Sequence, residues 1–292
     1  MDEPLVFTAP AKINLYLHVT GKRHDGYHLL DSLVTFAQEI ADRITVTPHE
    51  RFSFTISGPF EGEFTPEDLR EDKHSKNLIV KAAHMYQRLT GVELNINIHL
   101  EKNIPMGAGI GGGSADAAAT IKALEKFYGM PLPRKNEMLL NLGADVPVCY
   151  HGKTSRFEGI GDDISEVPPL PVFHMLLIWP DEKSPTKGVF KAYHGRFSRE
   201  ANMPDDYSDI RDFIGFIKNT RNDLSEASRS LYPVIEKAEE VLWEQPRCFL
   251  ARMSGSGTSV FGLFEKEEDC AAAQQAIAAK FPKWWVRTAK IG

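Results

Sequence analysis

Cysteine, surplus positive charge and long apolar runs are all scarce in this chain, and each shortage closes a class of function. Cys149, Cys248 and Cys270 are its cysteines, odd in number and far apart. A disulfide framework and a Cys-Cys zinc clamp are therefore not expected, and a reducing, cytoplasmic setting fits best. Lysine and arginine total 34 against 40 aspartates and glutamates, a formal charge of −6. Such a chain has no global attraction for nucleic acid or an anionic membrane. No run of about eighteen residues is free of charge and polarity, so no membrane-spanning helix is predicted. The opening Met1-Asp2-Glu3-Pro4 carries acid where a secretory signal carries base.

What remains is an ordinary globular composition, 42% hydrophobic and 25% charged, over 292 residues. That length allows two moderate domains. Ile13, Leu15, Leu17 and Val19 alternate with Lys12, Asn14, Tyr16 and His18, which predicts a strand with Lys12 and Asn14 side by side on its polar face. Strands are also expected at 33–36, 44–46, 52–56 and 94–100, and helices at 77–89 and 114–128. Gly159, Gly161 and Pro168-Pro169-Leu170-Pro171 suggest a linker, giving domains 1–157 and 158–292. Beyond it, strands at 175–179, 260–264 and 286–289 interleave with helices at 222–230, 234–243 and 267–280. The acidic stretch 198–212 reads as a mobile surface loop. Strands grouped with helices, without strict βαβ alternation, predict two α+β domains rather than a doubly wound sheet.

The densest signal is Pro105-Met-Gly-Ala-Gly-Ile-Gly-Gly-Gly-Ser114, set between a predicted strand and a predicted helix. Its glycines let a ligand reach the backbone, and its amides with the helix N-terminus form a concave anion site. The alternative is a tight turn that uses glycine for packing alone. A Walker loop is excluded because Gly113, not lysine, precedes Ser114. Gly107, Gly109 and Gly112 satisfy a dinucleotide fingerprint, yet Glu125, the acid nearest the required register, falls inside the predicted helix.

Other polar residues carry less information singly. His24 and His28 are four apart, but Gly26 between them points to a turn, not a zinc-binding helix. Asp145, in Leu142-Gly-Ala-Asp-Val-Pro147, is rigidly held. It either caps a helix or, paired with a lysine, accepts a proton from a substrate hydroxyl. Met253-Ser-Gly-Ser-Gly-Thr-Ser259 is a second small-residue loop, able to approach a ligand or simply to turn.

Taken in order, Pro10-Ala-Lys-Ile-Asn-Leu15, Gly26-Tyr-His28, the 105–114 loop, Gly143-Ala-Asp-Val-Pro147 and Ser254-Gly-Ser-Gly257 resemble the GHMP kinase superfamily. The closest likeness is to the branch acting on 4-diphosphocytidyl-2-C-methyl-D-erythritol. The resemblance spans residues 10 to about 262. It implies an N-terminal domain like ribosomal protein S5 domain 2, a ferredoxin-like C-terminal domain, and an active site in the cleft they form. It also implies transfer of phosphate from ATP, with Mg²⁺, to the 2-hydroxyl of the erythritol. By this likeness Asp145 is the base and Lys12 its charge partner, while Asn14 positions the substrate. Tyr27 stacks on cytosine, His28 bonds its polar edge, and Phe190 forms the opposite wall. Pro105, Gly107, Gly109, Gly111, Gly112, Gly113 and Ser114 cradle the phosphates, with Asn77 and Lys102 on the adenosine side.

No metal ligand is assigned beyond Ser114 as a hydroxyl on the Mg²⁺ side. Three positions depart from the family pattern: Ala115 for serine, Asp162 for glutamate and Thr258 for serine. A mevalonate or homoserine kinase would share the loop but give Tyr27 and His28 no nucleobase to hold. A non-catalytic nucleotide or sugar sensor would need the loops without the base.

Overall fold

The computed structural model describes residues 3–292, so Met1 and Asp2 of the opening lie outside the described residues. Ten strands occur among the described residues: β1 Leu5–Lys22, β2 His28–Pro48, β3 Ser53–Ser57, β4 Ile96–Glu101, β5 Ser155–Gly159, β6 Asp163–Glu166, β7 Phe173–Trp179, β8 Leu250–Met253, β9 Val260–Phe264 and β10 Trp285–Ile291. The helices are α1 Leu78–Thr90, α2 Gly112–Tyr128, α3 Lys135–Leu142, α4 Val146–His151, α5 Thr186–Ala192, α6 Ile210–Lys218, α7 Ser225–Leu231, α8 Val234–Trp243 and α9 Glu267–Lys280. The chain divides into two compact units. One holds the described residues up to 11 with 41–106 and 111–152, and the other 12–40, 107–110 and 153–292.

In the first unit the C-terminal half of β2 pairs antiparallel with β4, and β3 joins the other edge of β4 in parallel. Ile44, Val46, Ile96, Ile98 and Leu100 are buried, as period-two alternation demands of a strand with one face on the core. Helix α2 supplies the apolar side of that core through its alanines, Ile121 and Leu124. It ends at Gly129, which takes the left-handed conformation that suits a C-terminal glycine. Glu125 of α2 accepts from Tyr150 Oη at 2.5 Å and pairs with Lys135 at 2.9 Å. Lys135 also donates to Tyr150 Oη at 2.8 Å. This three-way contact staples α3 and α4 to α2.

In the second unit β2 pairs with β5 and β5 with β6, both antiparallel. Gly159 and Gly161, expected in a linker, are therefore part of a hairpin. Asp162 Oδ1 closes its turn by accepting from the Ile160 amide at 3.1 Å. The expected boundary at 157/158 falls inside β5. Downstream, β7, α7–α8, β8, β9, α9 and β10 run as a β-α-β-β-α-β unit with sheet order β10-β7-β9-β8, the ferredoxin-like arrangement. Leu176, Ile178, Val260 and Phe264 pack with Ile235, Val241, Leu242 and Ile277 beneath the sheet.

Several elements differ from expectation. The runs at 33–36 and 44–46 belong to one strand, and no glycine, asparagine or proline interrupts 28–47. Segment 198–212 is not detached. Tyr207 is buried against Phe213 and Phe216, the Ala201 amide bonds Asp31, and Asp209 caps α6. Strand β1 has no solvated polar face, since Lys12, Asn14, Tyr16 and His18 are all buried. Arg252 explains part of that burial. Its guanidinium donates to the carbonyls of Leu15, Ile217 and Thr220 and to the Thr220 hydroxyl, tying β1 and the end of α6 to β8. Burial pushes its pKa down to about 10, so it remains charged at neutral pH. Arg252→Lys keeps the charge but strands buried carbonyls, and urea unfolding should show a loss of about 1–3 kcal/mol.

Candidate active site

The glycine-rich loop follows β4 and leads into α2. Gly107, Gly109 and Gly111 all adopt positive φ, +71°, +76° and +70°, in alternation with Ala108 and Ile110. Side-chain-bearing residues reach that region only with strain, so glycine at every second position sets the loop's shape. The carbonyls of Gly107, Ala108 and Ile110 accept from the amides of Ser184, Ser259 and Lys12 at 3.1, 3.0 and 2.9 Å. Among the described residues, no protein acceptor takes the amides of 107–111. Acceptors face the protein and donors are left for a ligand. Gly111 is also the N-cap of α2 and offers no side chain to satisfy the first helical amides. That end of the helix favours negative charge.

The second small-residue loop, Ser254–Ser259, packs directly on residues 107–110. A Cβ on Gly109 would lie 2.2 Å from the Gly257 carbonyl oxygen, and one on Gly255 would lie 3.0 Å from the Gly109 oxygen. Ser254 Oγ accepts from the Asn14 amide at 3.1 Å. The Ser256 carbonyl accepts from Ser184 and Ser228, and Thr258 donates its hydroxyl to the Glu182 carbonyl. The second loop thus holds the first in shape, a role its sequence did not announce. The threonine at 258 keeps the hydroxyl this bond needs.

Lys12 and Asn14 enter from β1 in the same unit as residues 107–110. Asn14 Nδ2 donates to Ser32 Oγ at 2.8 Å. Its Oδ1 is buried without a hydrogen-bond partner, an acceptor held in reserve. In this unit the β1–β2 turn has Gly26 at φ +93° and leaves Tyr27 61% exposed. Tyr27 is therefore no core residue. His28 stacks on Phe190, ring centroids 5.2 Å apart at 28°, and meets Tyr193 edge-on. Burial, helped by the nearby Lys22 charge, lowers the His28 pKa and favours neutral imidazole. The expected wall, Phe190, therefore gives one face to His28 and fixes the imidazole plane.

Asn77, Lys102, Pro105, Gly111–Ser114 and Asp145 belong to the other unit. Asn77 caps α1, with Oδ1 accepting the Ile79 amide at 2.9 Å, while its Nδ2 is buried without a partner. That orphan donor suits an acceptor such as a base nitrogen. Lys102 is a correction. Its ammonium, only 2% exposed, is bound to Asp42 at 2.5 Å and Asp116 at 2.9 Å, so it is engaged with carboxylates rather than presented to adenosine. Asp145 stands at the N-cap of α4, but its side chain makes no capping bond. The capping alternative fails on geometry. Pro147 begins the helix behind it, and the Tyr150 staple fixes that helix.

Ala115 is buried in α2, and Asp162 serves the hairpin turn described above. Glu125 is committed to Tyr150, Lys135 and the Leu132 amide, which removes it from any ribose-binding role. Sequence reasoning did not single out Asp42, Asp116, Ser32, Ser184 or Ser228. Their spacing carries no local signal, because their partners are remote in the chain.

Comparisons with known proteins agree with this construction. The family model for the GHMP kinases N terminal domain matches residues 77–165, and that for GHMP kinases C terminal matches 206–283. The 4-diphosphocytidyl-2-C-methyl-D-erythritol kinase of Cereibacter sphaeroides is 43% identical, over 97% of this chain and 98% of that one. Its namesake from Sinorhizobium medicae is 39% identical, over 98% and 95%. A crystal structure of 4-(cytidine 5'-diphospho)-2C-methyl-D-erythritol kinase matches with a TM-score of 0.77 at 28% identity, covering 99% of this chain and 100% of that one. With phosphate-loop geometry in place and relatives matching over nearly its whole length, the chain belongs to the 4-diphosphocytidyl-2-C-methyl-D-erythritol kinase family of GHMP kinases.

Proposed function

We propose that this protein transfers the γ-phosphate of ATP to the 2-hydroxyl of 4-diphosphocytidyl-2-C-methyl-D-erythritol, in the non-mevalonate route to isoprenoid precursors. The observation that carries the reading is the loop whose Gly107, Ala108 and Ile110 carbonyls are bonded to protein while, among the described residues, its amides 107–111 have no protein acceptor. Phosphoryl transfer needs chiefly positioning and charge neutralisation, which such a loop supplies. The named relatives narrow the acceptor alcohol.

In this reading Asp145 takes the hydroxyl proton and the alkoxide oxygen bonds to the γ-phosphorus. The bond from that phosphorus to the β–γ bridging oxygen breaks, and ADP leaves. Lys12 offsets negative charge near the attacking oxygen. Asn14 Oδ1 accepts a hydrogen bond from substrate, and Asn77 Nδ2 donates to the adenine. Pro105 and Gly107–Ser114 hold the triphosphate. Tyr27 stacks on cytosine and His28 bonds its edge, with Phe190 behind His28.

No group of three or more His, Cys, Asp or Glu able to hold a metal occurs among the described residues. Mg²⁺ suits this donor set as an ion held mainly by phosphates and water, with Ser114 as its side-chain contact. When bound it neutralises the β- and γ-phosphate oxygens. A small-molecule substrate needs neither nucleic acid nor membrane, and no described helix is long and apolar enough to cross one. We place the enzyme in the cytoplasm.

A coupled ADP-release assay tests the whole reading. The cytidine-bearing substrate should be phosphorylated while mevalonate and homoserine are not, and the reverse order would refute it. Asp145→Asn should lower kcat by about 10²–10⁴-fold, and wild-type turnover in a folded variant would remove Asp145 as the base. Tyr27→Ala should forfeit about 1–3 kcal/mol of base stacking, seen as KM for the cytidine substrate with kcat retained. Because His28 is neutral near pH 7, acidification should raise that KM as the imidazole gains its proton, below the usual histidine range. His28→Gln should flatten the profile, and an unchanged profile would take His28 out of binding.

A further inference from the structure

Lys102, displaced from its expected role, sits in a buried charge cluster that touches both ends of the phosphate loop. At the entry, Asp42 Oδ1 accepts the amides of Asn103 and Ile104 at 2.6 and 2.9 Å. Its Oδ2 takes the Lys102 ammonium, which also binds Asp116 in the first turns of α2, the exit. Gly112 lies directly over this cluster, for a Cβ there would meet Lys102 Nζ at 3.2 Å and Asp42 Oδ2 at 3.8 Å. All three charged side chains are buried. One ammonium faces two carboxylates, and Asp116 Oδ1 has no hydrogen-bond partner. Burial, with the Asp42 charge nearby, raises the Asp116 pKa from its ordinary value.

We propose that Asp42, Lys102 and Asp116 are positioning residues that lock residues 102–104 to the start of α2 and so set the loop's amides for the triphosphate. The proposal rests on the 105–114 loop being the ATP site. Nothing in the cluster touches the reacting atoms; it acts through the two ends of the loop. Asp42→Asn keeps the shape and the acceptor for the Asn103 and Ile104 amides, but turns an NH₂ toward the ammonium. Lys102→Met keeps the stem and removes the bridge.

The experiment titrates ATP alone by calorimetry, then measures kcat/KM for ATP and KM for the cytidine substrate at saturating ATP. Asp42→Asn should weaken ATP binding and lower kcat/KM for ATP by about 10²-fold, with KM for the cytidine substrate at its wild-type value. Lys102→Met should move in the same direction. A folded Asp42→Asn with wild-type ATP affinity overturns the proposal, as does an equal loss for both substrates that follows a fall in Tm. If the variants do not fold, hydrogen exchange on the wild-type protein decides. The Asn103 and Ile104 amides should be protected without ATP, and rapid exchange there overturns the proposal. Wild-type protein that binds ATP but phosphorylates no alcohol would sink the kinase reading and leave this test intact.

Discussion

An amide can receive a phosphate only if no carbonyl of the protein has taken it first. The 107–111 segment meets that condition by turning its carbonyls inward, where the amides of Ser184, Ser259 and Lys12 bind them. Alternating left-handed glycines make this inversion inexpensive, and the close backbone approach of Gly257 to Gly109 fixes it. The array of amides is therefore held in shape by the protein's own contacts. A preorganised donor array of this kind need not rearrange as charge develops during transfer. The loop 254–259 acts as the mould for the nest, and Ser184, Ser228 and Thr258 hold that mould in turn.

The polar residues divide by what their burial achieves. Arg252 and the Asp31 cluster bind backbone and one another with most groups satisfied. Tyr16 and Arg156 both reach Asp31 Oδ1, at 2.9 and 2.8 Å, and the Ala201 amide reaches Oδ2. Leaving such a charge unpaired would be strongly destabilising, so these groups hold strands in register. The Glu125–Lys135–Tyr150 staple differs in its consequence. By locking α4 to α2 it gives Asp145, at the start of α4, a rigid seat.

Local chemistry was readable and remote pairing was not. Helices α8 and α9 and strand β9 match their expected bounds, since their apolar spacing and flanking breakers lie within a few residues. The shape of the glycine-rich loop was legible because its glycines crowd into a few consecutive positions. Lys102 was misread because its partners Asp42 and Asp116 stand in another strand and in a helix, and nothing nearby in the sequence marks them. Lys12 and Asn14 were placed together on the polar face of their strand, and alternation does not show that this face is covered. Helix α6 was missed because its first turn lies in the acidic stretch 198–212 and its cap Asp209 looked like more loop, although Ile210, Phe213, Ile214 and Ile217 recur at helical spacing. Phe190 came from likeness alone, and the stacking on His28 gives it a physical reason.

Among the buried polar atoms without a hydrogen-bond partner in the described residues are one on Asn14 and one on Asn77. A buried polar atom with no hydrogen bond costs about 1–3 kcal/mol, and folded proteins rarely keep one without cause. Asn77 offers a spare donor beside α1, and Asn14 a spare acceptor beside the second glycine loop. In each case the other half of the amide is tied down, Asn77 Oδ1 by the Ile79 amide and Asn14 Nδ2 by Ser32. The tie fixes which end of each amide is presented, so a ligand at Asn77 must bring an acceptor and one at Asn14 must bring a donor. An adenine nitrogen meets the first demand and an alcohol hydroxyl the second. A kinase that moves phosphate from a purine nucleotide to an alcohol requires that pair of opposite demands, whereas an NAD-dependent oxidoreductase would instead need a free acid to hold ribose, and Glu125 is already engaged.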